Sequence, residues 1–152
     1  MIALPTLLLW TLSGFAAVWD LRFRRIPNAL IVTGLLVGAL TRVQSAGPQG
    51  LMAGLAGALA ALLIYLIPFA MRKVGGGDVK LAMVCGMFLG ARDTLWLILY
   101  ATAINGLLAI GLLIGRRALY GATGPAPERW AQVPKAVAFA AAVLIITLAP
   151  PG

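Results

Sequence analysis

Asp20 and Asp78 are the residues of this 152-residue chain best suited to acid–base chemistry. Asp20 stands in Val18-Trp19-Asp20-Leu21-Arg22-Phe23, and Asp78 in Gly75-Gly76-Gly77-Asp78-Val79-Lys80, each at the edge of an apolar run. A carboxylate at the end of a membrane-length stretch is expensive to desolvate, which makes it a candidate functional group by default. Two carboxylates that share a proton across a bound water can hydrolyse a peptide bond. The ionised one takes a proton from the water, the protonated one donates to the carbonyl oxygen, and like charge keeps one of them neutral. The remaining acids, Asp93 beside Arg92 and Glu128 beside Arg129, read as solvated or locally paired charges.

Competing chemistries lack their residues. The chain has no histidine and one cysteine, Cys85, which excludes Ser-His-Asp and Cys-His catalysis, an internal disulfide and a paired-Cys metal site. A Ser-Lys pair could draw only on Ser13, Ser45, Lys80 and Lys135. Ser13 lies about 10 Å along a helix axis from Asp20, and Ser45 falls in an expected external loop. The glycines before Asp78 are not followed by Gly-Lys-Ser/Thr, so they do not read as a phosphate cradle. The dyad chemistry requires no metal and no cofactor.

The elements that position these acids are apolar. With 62% hydrophobic residues, 11% charged residues and a mean hydropathy of +1.00, the chain reads as an integral membrane protein in a lipid bilayer. Its formal charge of +8 sits in short clusters between apolar runs, which argues against nucleic acid as a partner. Apolar segments run roughly over 2–19, 28–41, 50–71, 79–91, 94–115 and 134–149. They predict an all-α, polytopic membrane helix bundle of about six transmembrane segments, a single domain over residues 1–152. The second and fourth runs are short, so they are expected to extend into flanking sequence, to sit where the bilayer is locally thinned, or to be half-buried in the bundle.

Arg22, Arg24, Arg25, Arg72, Lys73, Lys80, Arg116, Arg117, Arg129 and Lys135 fall on one side of this topology, and only Arg42 and Arg92 on the other. The asymmetry places Asp20 and Asp78 at the cytoplasmic face and both termini outside it. The first run has its basic residues after it rather than before, so it reads as a retained helix and not a signal peptide. Small residues in 52–58 and at Asn105-Gly106 suit close helix packing, and the Gly- and Pro-rich stretch from Gly121 to Pro127 reads as the one extended loop. The triple glycine is expected to supply positive φ and a close main-chain approach before a helix start at Asp78. There the helix dipole favours an ionised Asp78, leaving Asp20, at a helix end, as the protonated partner.

Asp20 followed by Ile26-Pro27-Asn28, and then Gly75-Gly76-Gly77-Asp78-Val79-Lys80-Leu81, resembles the type IV prepilin peptidases, membrane aspartic proteases of the GxGD class, over roughly residues 8–115. The resemblance implies that Asp20 and Asp78 are the catalytic pair, cutting the leader peptide of a prepilin or pseudopilin at the cytoplasmic edge of the inner membrane. The chain length is similar to the short form found with tight-adherence, Flp-type pili. Gly75, Gly76 and Gly77 are expected to bring main chain close to an extended substrate, and by the same likeness Lys80 borders it, with Lys80 or the Arg22, Arg24, Arg25 cluster orienting an acidic residue beyond the cleavage site. The plainer reading of these cations is that they anchor the cytoplasmic face.

Longer members carry a region with Cys-x-x-Cys motifs and methylate the new N-terminus. With one cysteine here, methyltransferase activity is not expected. Val133-Pro134-Lys135-Ala136-Val137 also departs from the family's pattern near the sixth segment. The rival functions are a noncatalytic assembly subunit and a small proton-coupled transporter.

Overall fold

The computed structural model describes residues 4–23, 27–72, 74–120 and 135–149. These form α1 (Leu4–Phe23), α2 (Asn28–Ala70), α3 (Gly76–Leu89), α4 (Ala91–Tyr120) and α5 (Lys135–Leu148), with no strand among the described residues. The second and third apolar runs both fall within α2, which is broken between them. Ala46 (φ −145°, ψ 22°) and Gly47 (φ 59°, ψ −147°) leave the helical region just before Pro48. That conformation of Gly47 is open almost only to glycine, and proline is well tolerated at the start of the helix that resumes.

The break reverses the chain. Gly34 and Gly38, in the first arm (28–45), pack on Val84 and on Met87 and Phe88 of α3. Gly54 and Gly57, in the second arm (48–70), pack on Met87 and on Gly86. Residue numbers rise together in the first case and run against each other down to Tyr65 near Asp78 in the second. The first arm is therefore parallel to α3 and the second antiparallel. Ser45, expected in a loop, instead lies in the last turn of the first arm, its hydroxyl donating to the Arg42 carbonyl at 3.1 Å. The glycine-rich second arm and α3 approach to backbone contact at Gly57 and Gly86, as the small residues of 52–58 anticipate. Gly106 does not behave this way: a side chain there would meet nothing within 4 Å.

α3 is the buried element, with Leu81, Ala82, Val84 and Cys85 all at 0% exposure. It begins three residues earlier than its apolar run, because glycine and aspartate open the helix before the hydrophobic stretch starts. Gly90 (φ 85°) then turns α3 into α4 in one residue, so Asp93, expected in an external turn, falls in the first turn of α4. α1 packs mainly on α5, where the Trp10 indole N–H donates to the Thr147 hydroxyl at 2.8 Å and that hydroxyl donates to the Val143 carbonyl at 2.7 Å.

The outside is apolar: Leu36, Met52, Ile67, Leu107 and Leu148 are each more than 60% exposed. Contiguous apolar surface of this kind belongs against lipid. α2 and residues 91–115 of α4 are long and apolar enough to cross a membrane.

Between α2 and α3, Arg72 adopts φ 56°, left-handed backbone that a side chain disfavours by about 1 kcal/mol or more. Arg72→Gly is expected to raise the thermal midpoint in detergent by a few degrees. An unchanged or lower midpoint would show that the Arg72 side chain offsets the strain.

Candidate active site

Asp20 lies in the last turn of α1 and Asp78 in the first turn of α3, both half-buried. The Lys80 ammonium donates to the Asn28 side-chain oxygen at 2.9 Å, tying the start of α3 to the start of α2. Asn28 follows the end of α1 by only five residues. The C-terminal turn of α1 and the N-terminal turns of α2 and α3 therefore share one end of the bundle, and α1 and α3 touch. Both aspartates belong to that end.

The local structure around Asp78 is set by the glycines, though not as expected. Gly75 is extended at φ −76°, ψ 150°, and Gly76 and Gly77 are the first helical residues. None of the three adopts positive φ; among the described glycines only Gly47 and Gly90 do. Gly75 and Gly76 lie near their neighbours, at distances a side chain would meet as ordinary van der Waals contact. A side chain at Gly75 would come within 3.5 Å of the Asp78 carboxylate, and one at Gly76 within 3.6 Å of the Phe69 ring. The Gly75 N–H donates to Asp78 Oδ2 at 3.3 Å, while the Asp78 and Val79 N–H groups return to the Gly75 carbonyl. The Asp78 carboxylate, at the third position of the helix, thus caps the start of α3 by accepting a main-chain N–H.

Tyr65, on the second arm of α2, was not singled out from the sequence. It is 8% exposed, lies within electrostatic reach of Asp78, and has the Thr102 side chain of α4 as a hydrogen-bond partner. Its ring packs 6.0 Å from Phe139. The available signal was that it is the sole tyrosine of an apolar run, and a buried phenol needs a polar partner. Asp20 sits beside an aromatic ladder on α1, Phe15, Trp19 and Phe23, with ring centroids 5.5 and 4.7 Å apart. The Arg22 guanidinium lies 5.8 Å from the Phe23 ring.

The serines are occupied elsewhere. Ser13 is buried and donates to the Trp10 carbonyl at 3.2 Å within its own helix, and Ser45 lies at the other end of the bundle. At that other end Arg42 donates to the Met87 carbonyl at 3.4 Å, placing a cation at the C-terminus of α3 where the dipole favours it. Arg42 and Asp93 there line a cavity of about 170 Å³ with Thr41, Ser45 and Phe88. Among the described residues no cluster could hold a metal ion. Arg24, Arg25, Lys73, Glu128, Arg129, the Gly121–Pro127 stretch and Pro134 lie outside the described residues.

The chain is 34% identical over 117 residues to a prepilin leader peptidase/N-methyltransferase of Bacillus subtilis (strain 168), an alignment that takes in 75% of this chain and 47% of that protein. It thus spans about half the length of the curated relative it matches. No solved structure matches. The type IV leader peptidase family matches residues 7–114, which takes in nearly all of α1, the whole of α2 and α3, and α4 to within six residues of its end. The helices that carry Asp20, Tyr65 and Asp78 lie within that match, and the chain belongs to the type IV leader peptidase family.

Proposed function

We propose that this chain is a membrane aspartic endopeptidase that removes the leader of a type IV, Flp-like prepilin or pseudopilin, with Asp20 and Asp78 as its catalytic pair. The observation that carries the reading is the end-sharing of the two acids: Asp78 is pinned at the start of α3, and the Lys80–Asn28 bond brings that start to the end of α1. Asp78 acts as the base that takes a proton from the attacking water. Asp20 donates its proton to the carbonyl oxygen; as the resulting gem-diol collapses, Asp20 takes a proton back from its hydroxyl and Asp78 passes the proton it took from water to the leaving amine. The helices cross the inner membrane six times, counting each arm of α2, with the aspartate end at the cytoplasmic face and both termini outside. Arg22, Arg72 and Lys80 at one end, against Arg42 and Arg92 at the other, support that orientation.

Co-expression with a candidate prepilin tests the function. Wild type is expected to shorten the pilin by its leader, seen as a gel shift, and the mature product is expected to carry an unmodified N-terminal amine by mass. No shift with any prepilin of the same genome would move the noncatalytic assembly-subunit reading forward. The transporter reading is disfavoured because both acids sit at a helix end rather than at mid-depth.

Gly75, Gly76, Gly77 and Lys80 border the substrate in this reading. The Asn28 oxygen is neutral, so the Lys80 charge remains able to attract a carboxylate beyond the scissile bond. Lys80→Glu is expected to slow processing about tenfold, the worth of one charge-assisted contact, and an acid-to-lysine change in the pilin should recover it. Equal rates for Lys80→Glu and wild type would reduce Lys80 to a clamp between α2 and α3.

A further inference from the structure

Asn105 is the only carboxamide in α4, and its side-chain oxygen is fully enclosed with no hydrogen-bond donor reaching it among the described residues. It continues the inward stripe of that helix, four residues after buried Ala101 and eleven after buried Thr94. A buried amide oxygen is normally satisfied, and one that is not calls for an explanation.

Its depth in the bundle supplies one. Asp78 and Thr102 stand twelve residues either side of Gly90, so helices leaving that turn carry both to about the same depth, ~18 Å away. The Tyr65 contacts bear this out, since Tyr65 reaches Thr102 and feels Asp78. Asn105 lies one turn further along, toward the end that holds the aspartates. Beside it the helix is open: Gly106 has nothing within 4 Å of where a side chain would begin, and Thr102 and Ala103 are exposed.

A peptide being hydrolysed must be extended around the scissile bond, because helical hydrogen bonds occupy its carbonyls. An extended main chain at the membrane edge exposes N–H groups that water cannot fully serve, and each needs an acceptor. An oxygen that no donor among the described residues reaches, one residue from the open position at Gly106, matches that need. We propose that Asn105 is a positioning residue: its oxygen accepts a main-chain N–H of the bound leader peptide and fixes the scissile bond against Asp78. The proposal rests on the peptidase reading above.

Purified enzyme in detergent micelles, with a synthetic prepilin peptide spanning the leader junction, tests it. Asn105→Leu keeps the number and branching of heavy atoms and removes the acceptor. It is expected to raise KM about tenfold with kcat within threefold of wild type, and to leave the thermal midpoint equal or higher, because an unsatisfied buried oxygen has been removed. Asn105→Ala should show the same split. In an Asp78→Asn background, which binds without cutting, Asn105→Leu should weaken capture of the same peptide by a similar factor. An unchanged KM and unchanged capture overturn the proposal. So does a fall of the midpoint together with kcat, which is the mark of a structural amide. Failure of wild type to cut the peptide overturns the peptidase reading and this inference with it; cutting by wild type and Asn105→Leu alike overturns this inference alone.

Discussion

Asp78→Asn is expected to lower leader cleavage about 100- to 10,000-fold while leaving the protein folded and in the membrane. The substitution is informative because of what it preserves. The Asp78 side chain accepts the Gly75 N–H at 3.3 Å, and an amide oxygen at that position accepts the same bond, so the start of α3 survives. What is lost, in the proposed chemistry, is the group that takes a proton from water. Asp20→Asn should fall by a similar factor through loss of the acid. The double variant should be scarcely slower than either single one, because two groups that move one proton act as a unit and their effects do not add. Initial rates on a synthetic prepilin junction, normalised to folded protein by size exclusion, measure all three. Retention of activity within threefold by Asp78→Asn would remove it from the chemistry. An inactive Asp78→Asn beside an active Asp20→Asn would leave Asp78 catalytic and require a different partner.

The largest stability effect is expected at Gly57 and Gly86, where α2 and α3 meet backbone to backbone. A side chain at Gly57 would collide with the Gly86 carbonyl, and one at Gly86 with the Gly57 carbonyl. Neither obstacle is a flexible side-chain tip that could swing aside. Gly57→Val must push the helices apart along their shared length, opening the contacts of Gly54 with Met87 as well. We expect a loss of about 3 kcal/mol or more, the upper range of overpacking, seen as sharply reduced folded protein in membranes. Gly106→Ala is the matched control. With open space around it, removal of a mid-helix glycine should be neutral or stabilising by up to about 1 kcal/mol. If both variants accumulate alike, the close approach of α2 and α3 does not limit stability.

The helices were legible because apolar runs of membrane length leave little choice of secondary structure, and every run has a helical counterpart among the described residues. Boundaries were less so. The arm ending near Ser45 outlasts its apolar run because polar residues can extend a helix past the hydrocarbon, and Gly47-Pro48 marks the reversal more sharply than hydrophobicity does. The glycines before Asp78 were expected to take positive φ and none does, because composition does not report the sign of φ; a side chain at Gly75 or Gly76 would meet Asp78 or Phe69 only at ordinary van der Waals distance. Asp20 and Asp78 were legible as rare acids in an apolar chain. Tyr65 was not, nor were the Asn28–Lys80 bond and the Asn105 oxygen unpartnered among the described residues, although Asn28 and Asn105 were noted for their motifs, because contacts between helices far apart in sequence are not encoded in spacing along the chain.

The helices that carry the two acids belong to different halves of the bundle. α3 is gripped on two flanks by the arms of α2, through glycine contacts without slack, whereas α1 is fastened to α5 by Trp10 and Thr147 and touches α2 and α3 only lightly. The spacing of the carboxylates is thus set by a seam and not by either helix. Alterations to the α1–α5 clasp are expected to shift that spacing while leaving both carboxylates in place. Such a seam gives the bundle an adjustment screw that selection can turn by small steps.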